Sequence, residues 1–415
     1  MAQRQYWTKK EVRGTRGEIF DRNGVLLAKS VEINSVYARP QEVMDPRNTA
    51  QKLSKILGIS ENRLYRRLRE KKSFVWIARK IGDLPSKKLK QASLPGIHQL
   101  LESERVYPQG HLAGQLLGFV GVDNKGLEGL ELTYDEYLRG GISSSRVQRD
   151  ARGGILETSF SLAMGGGHGR DLELTLDARI QYAVEEALEA SIKRTKAKSG
   201  MGLVVEVASG DILSWAVYPF FNPNSYKDQQ PGNWRNTIAL DVFEPGSTTK
   251  PFLIAAALEA GVCDRDTIFF CENGSWDQKG YCIDDTHEYG WLPVNRILSY
   301  SSNIGAAKIG LALGGERYYE FLQAFGFGKR TLHDLPGESS GLLRDSRSWY
   351  PVDLATASFG QGIATTMLQL AQGYLCLARE GTFTPLRLVK KPAKVLPPGK
   401  QVVSARVAHQ VLSMM

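Results

Sequence analysis

Apolar residues recur along this chain in two periods, and the change from one to the other outlines its elements. Asp171-Leu172-Glu173-Leu174-Thr175-Leu176 alternates residue by residue, as a half-buried strand does. Asp177 then stands as an N-cap. Apolar positions at Ile180, Val184, Ala187, Leu188 and Ile192 follow at helical spacing, which predicts a helix from Ala178 to about Arg194. Met201 to Val207 and Ile212 to Tyr218 are β-rich runs joined by Ala208-Ser209-Gly210-Asp211, a hairpin signal. An apolar helix over Pro251 to Leu258, a loop-rich stretch from Cys263 to Trp291 and further helices complete this half.

The first half is built differently. Val31 to Tyr37 reads as a strand, and Thr49 to Ile56 and Asn62 to Glu70 read as helices. Asp21-Arg22-Asn23-Gly24, flanked by Ile19 and Val25, reads as a hairpin turn with Asn-Gly at its centre. Between the halves lies Gly165-Gly166-Gly167-His168-Gly169, expected to be a flexible seam. The expected organisation is α+β in two domains: an irregular N-terminal unit over 1–164, a linker over 165–170, and a unit over 171–415. The second unit is read as an antiparallel sheet flanked by helices.

Composition changes this picture little. The 415 residues are 42% hydrophobic and 23% charged, an ordinary globular balance with material for two domains. The net charge of +9 is densest from Lys52 to Lys90. That stretch suits a solvated surface or an anionic membrane face, and no recognition motif accompanies it to suggest nucleic acid. There is no run of 18 apolar residues and no signal-peptide pattern, so none of these residues is expected to span a bilayer. Cys263, Cys271, Cys282 and Cys376 lack metal-ligand spacing, and neither a metal nor an organic cofactor is expected. Cys271 and Cys282 bracket a glycine-containing stretch that suits a disulfide or two free thiols equally.

The chemistry is concentrated at Ser247-Thr248-Thr249-Lys250, behind Glu244-Pro245-Gly246 at the start of the apolar helix. Serine and lysine three residues apart on a helix share a face. A neutral lysine there can take the serine proton as the oxygen attacks a carbonyl, and the helix N-terminus favours the negative charge that develops. Ser301-Ser302-Asn303 adds a second hydroxyl, Ser301, to relay protons. It also adds a carboxamide, Asn303, to orient the lysine and bind a substrate amide. Either motif alone is weak; their pairing is specific.

These residues resemble the penicillin-binding proteins. The second half is similar to their transpeptidase domain through Arg235-Asn236, Phe243-Glu244-Pro245-Gly246-Ser247-Thr248-Thr249-Lys250 and Ser301-Ser302-Asn303-Ile304-Gly305. Gly326-Phe327-Gly328, Phe359-Gly360-Gln361-Gly362, Thr366 and Leu368-Gln369-Leu370-Ala371 extend the likeness. The first half resembles the pedestal (dimerisation-type) domain of class B members. Its marks are Arg16 to Ala28, Arg105-Val106-Tyr107-Pro108-Gln109-Gly110, Gly126-Leu127-Glu128-Gly129-Leu130-Glu131, and Arg149-Asp150 with Gly153. The pedestal motifs are expected to hold structure rather than do chemistry, and Phe359 to Gly362 to form a turn setting the next helix. Gly118-Phe119-Val120-Gly121 before the Gly126 motif looks like the division (FtsI-type) branch.

The resemblance implies a peptidoglycan D,D-transpeptidase and penicillin target on the extracytoplasmic face of a bacterial membrane. Ser247 would be the nucleophile, Lys250 the general base, Ser301 the proton relay and Asn303 the orienting amide. Implied partners are stem peptides ending in D-Ala-D-Ala, β-lactams, a membrane glycan polymerase and other division proteins, with no nucleic acid. Two departures stand out. No membrane anchor precedes Arg16 in these residues, and the family's third motif, Lys-Thr/Ser-Gly on a strand beside the serine, does not follow Ser301-Ser302-Asn303 in them. The transpeptidase unit is therefore read as C-terminally incomplete and this 415-residue chain as impaired. The alternatives are a non-catalytic scaffold of the division complex, or a β-lactamase or D,D-carboxypeptidase. For the hydrolases Glu338 would be a candidate water activator, although a surface glutamate in a turn fits it better.

Overall fold

The computed structural model describes residues 7–148, 167–278, 280–332, 335–391 and 399–415. Its central feature is a six-stranded sheet ordered Val389–Lys391, Leu172–Leu174, Ile19–Phe20, Leu26–Ala38 and Val75–Ile81. Strand Ile97–Val106 pairs antiparallel with the other edge of Leu26–Ala38. The Asn-Gly hairpin forms as the sequence predicts. Asp21 N donates to Val25 O at 2.9 Å, Asp21 Oδ1 accepts from Asn23 N and Val25 N, and Gly24 takes the left-handed φ of 82°. Helices Pro46–Leu57 and Glu61–Leu68 pack Ala50, Leu53, Leu64 and Leu68 against Val36 and Ile77 of the sheet.

One grouping differs from expectation. The strand beginning the second half, Leu172–Leu174, lies parallel to Ile19–Phe20 in the N-terminal sheet, not with the hairpin that follows it. Leu172 and Leu174 are fully buried there, and a neighbour on each side satisfies the backbone. The hairpin Gly200–Val205 with Ile212–Tyr218 forms its own two-stranded antiparallel sheet. Helix Ala178–Thr195 lies against it, capped by Asp177 Oδ1, which accepts from Arg179 N at 2.9 Å. Gln181 of that helix bonds both backbone groups of Trp215, donating to O and accepting from N.

The pedestal motifs converge on one buried ion cluster. Arg16 Nε donates to Glu131 Oε2 at 2.5 Å, and Arg105 Nε to Glu131 Oε1 at 2.7 Å. Arg16 Nη1 reaches Asp135 Oδ1 at 2.6 Å, and the same oxygen accepts from Gly126 N at 2.8 Å. Three motifs far apart in sequence thus form one electrostatic lock, in keeping with a structural role. Arg149, Asp150, Gly153, Gly165 and Gly166 lie outside the described residues. At the far end of the seam, Gly169 is closely packed: a Cβ there would fall 1.7 Å from Leu138 O. Glycine at 169 permits a close approach, where the sequence suggested only freedom. All four cysteines are free thiols, so Cys271 and Cys282 are not bonded to each other.

Candidate active site

The nucleophile turn is held from outside its own helix. Phe243 exchanges two backbone hydrogen bonds with Thr365, and Gly246 N donates to Gly360 O at 3.0 Å. Gly362 N donates to Glu244 Oε1 at 2.8 Å, and Tyr374 Oη donates to Thr248 O at 2.8 Å. A Cβ at Gly360 would sit 2.1 Å from Gly246 O. The Phe359 to Gly362 segment therefore does more than set the following helix, Met367–Ala378; it braces the turn that presents Ser247.

Gly246–Thr249 is a 3₁₀ turn running directly into helix Lys250–Glu259. Lys250 through Leu258 are all buried. A helix apolar on every side belongs in a core, and Phe252 meets Phe325, Phe327 and Tyr374 there. Ser247 stays exposed at the start of this element, while Lys250 is fully buried one turn on.

Burial has an electrostatic consequence. It pushes the Lys250 amine down from its usual value to about 8, with Asp285 opposing the shift. Lys250 Nζ donates to Ser301 O at 2.5 Å, to Ser301 Oγ at 3.0 Å and to Asn303 Oδ1 at 2.9 Å. These three acceptors suit an ammonium. Once the amine is neutral, the Ser301 hydroxyl can instead donate to it, and a proton path opens. Ser301 occupies a left-handed backbone conformation, φ 58°, uncommon for a non-glycine residue. That turn joins helix Val294–Ser299 to helix Asn303–Leu313 and places Ser301 and Asn303 together over Lys250.

The four residues singled out in the sequence are thus brought to one place, with one difference. A direct Ser247–Lys250 hydrogen bond is not formed; the lysine is engaged by Ser301 and Asn303. A residue the sequence reading missed completes the arrangement. Asp285 accepts from Ser302 Oγ at 2.6 Å, from Ile304 N at 3.2 Å and from Asn303 N. Its only sequence signal is a carboxylate within the Cys263 to Trp291 loop, indistinguishable there from Asp284. Glu338 departs from expectation as well. It is buried, not a surface turn residue, and its carboxylate accepts from Thr331 N at 2.6 Å and Leu332 N at 3.1 Å. An exposed turn would leave those N–H groups to water; here the buried loop needs an internal acceptor. Among the described residues no cluster of His, Cys, Asp or Glu could hold a metal ion.

Comparison with known proteins bears on this geometry. The penicillin binding protein transpeptidase domain matches residues 200–415, and the penicillin-binding protein dimerisation domain matches residues 11–174. The chain is 35% identical to the probable peptidoglycan D,D-transpeptidase PenA of Neisseria meningitidis over 97% of its own length and 69% of that protein's. It is 34% identical to the peptidoglycan D,D-transpeptidase FtsI of Escherichia coli, covering 98% of this chain and 69% of the relative. A crystal structure of a peptidoglycan synthetase from Bifidobacterium adolescentis superposes with a TM-score of 0.75 at 26% identity, over 99% of this chain and 81% of that one. Penicillin Binding Protein 2X from Streptococcus thermophilus shares the fold with a TM-score of 0.76 at 24% identity, over 98% and 66% of the two chains. With both domain models matched in order, and with relatives more than 30% identical over nearly the whole chain, the chain belongs to the class B penicillin-binding proteins of the FtsI type.

Proposed function

We propose that this protein is a serine D,D-transpeptidase that crosslinks peptidoglycan stem peptides in septal wall synthesis and is acylated by β-lactams. The observation that carries the reading is the buried Lys250 amine bonded to both Ser301 and Asn303, one turn from an exposed Ser247. Ser247 Oγ attacks the carbonyl of the penultimate D-Ala while its proton passes to neutral Lys250. The C–N bond breaks, the terminal D-Ala leaves as an amine, and Ser301 relays the proton to it. An amine from a second strand then attacks the ester, giving the crosslink and returning the proton to Ser247. Asn303 orients Lys250 and hydrogen-bonds the substrate amide. We infer that it works on the extracytoplasmic face of a bacterial membrane, beside a glycan polymerase and other division proteins. Among the described residues no helix is long and apolar enough to cross a membrane. A water-activating role for Glu338 has little support, because its oxygens already serve the 331–332 backbone.

Acylation should rise with pH. A base with its midpoint near 8 is mostly protonated and inactive at neutrality, and becomes competent as the proton leaves. Fluorescent-penicillin labelling rates from pH 6 to 9.5 should therefore climb to a plateau with a midpoint near 8. A flat profile would count against Lys250 as the base.

A polypeptide of these 415 residues alone should acylate slowly, because no Lys-Thr/Ser-Gly sequence follows Ser301-Ser302-Asn303 in it to supply a second oxyanion donor and a carboxylate grip. One such donor is worth about 10²–10³ in rate. Stopped-time labelling beside a form extended through that motif tests this; equal rates would show the motif is dispensable. The same material tests the division into 1–164 and 171–415. Limited proteolysis should cut first at 165–170 or within 263–291, and early cuts within Leu174 to Leu188 would refute the boundary.

A further inference from the structure

The residues around Lys250 carry a group that no part of the mechanism above uses. Asp285 follows strand Tyr281–Asp284, and its backbone is pinned by its own N–H donating to Gly274 O at 2.9 Å. From there the carboxylate takes three hydrogen bonds at the start of helix Asn303–Leu313: Ser302 Oγ, Asn303 N and Ile304 N. Beside it the backbone carbonyl of Asp284 accepts from Asn303 Nδ2 at 3.0 Å. Both ends of Asn303 are thereby fixed, leaving its Oδ1 directed at Lys250.

We propose that Asp285 is a positioning residue for the acylation reaction: it locks the Ser301 to Asn303 turn over Lys250 and provides the counter-charge for the Lys250 ammonium. This rests on the reading of Lys250 as the base. The carboxylate sits in a fixed electrostatic neighbourhood. Lys250 faces it from the nucleophile helix. The Cys271 thiol, itself bonded to Ser302 Oγ at 3.5 Å, faces it from the preceding loop. Lys308 of the Asn303 helix is already neutralised by Glu272. Burial lowers the Lys250 value and Asp285 raises it, so the pair together hold the amine near the pH at which a general base is useful. Removing the charge but not the hydrogen-bonding shape should therefore lower the Lys250 midpoint.

The test is NMR titration of lysine 13Cε signals in the 415-residue chain, with the Lys250 signal identified by its absence in Lys250→Met. In Asp285→Asn the Lys250 midpoint should fall by about half a unit or more. In Asp284→Asn it should stay put, since that exposed carboxylate bonds Ser275 and not the site. In Ser302→Ala, which keeps the charge and removes one of the carboxylate's hydrogen bonds together with the Ser302 cap on Gly305 N, it should also stay near its native position. An unchanged midpoint in Asp285→Asn would overturn the proposal. So would an equal fall in Asp284→Asn or Ser302→Ala, because each would mark Asp285 as one surface charge among many or as a helix cap only. The titration needs no turnover. If Lys250 shifts as described but Lys250→Met acylates at the native rate, the reading of Lys250 as base fails while the electrostatic coupling stands.

Discussion

Ser247→Ala should abolish labelling by fluorescent penicillin in a polypeptide extended through the Lys-Thr/Ser-Gly motif, and should leave the fold unchanged. Two facts separate those outcomes. The Ser247 side chain is exposed and makes no hydrogen bond among the described residues, so its removal should shift stability by no more than about 0.5 kcal/mol. Chemically, nothing replaces it. Loss of a serine nucleophile costs about 10⁶ in rate where it has been measured in other serine enzymes. Mass mapping of the native adduct should place it on Ser247, and an adduct on Ser301 or any other serine would overturn the assignment.

Lys250→Met gives the companion result. Acylation should slow by about 10²–10⁴, the span of general base catalysis. Stability should respond in a way that identifies the lysine. Its folded value, about 8, lies below its ordinary value of 10.5, so between those values the unfolded chain holds more protons than the folded one. Native stability should then rise with pH across that window, and be lost as pH falls back through about 8. In Lys250→Met that component of the slope should vanish. Urea titrations at pH 7.5, 8.5 and 9.5 read it directly; identical slopes in both proteins would mean that the amine is not held neutral by burial.

The second large effect lies far from the chemistry. Glu131→Ala should destabilise the protein by at least about 3–5 kcal/mol, because it strands buried charge rather than removing a surface pair. Glu131 is fully buried, and Arg16 and Arg105 are nearly so. Both guanidinium groups donate to its two oxygens, and Tyr107 Oη adds a bond at 3.3 Å. Glu131→Gln, which keeps the shape and one acceptor, should cost less. Thermal melts of the three proteins decide the matter, and a Glu131→Ala midpoint within two degrees of the native one would show that the cluster is not what holds these motifs together.

Much of this protein is written in short range. The helix from Asp177, the Asn-Gly turn at Asn23-Gly24 and the hairpin about Gly210 depend on periodicity, caps and turn chemistry, all local in sequence, and they form where those signals stand. Ser247 and Lys250 share a helical turn for the same reason, and what singles them out is the pairing of that spacing with Ser301-Ser302-Asn303. The fate of Leu172–Leu174 was not local. An alternating strand carries no label for its partners, and burial on both sides by Ile19–Phe20 and Val389–Lys391 placed it in the N-terminal sheet. Glu338 and Asp285 show the same limit more sharply. A carboxylate in a loop looks solvated in a sequence, because its hydrogen-bond donors are supplied by whichever segments pack around it. Only the folded chain decides that Glu338 braces the backbone at 331–332, or that Asp285 faces Ser302, Asn303 and, through them, the buried amine of Lys250.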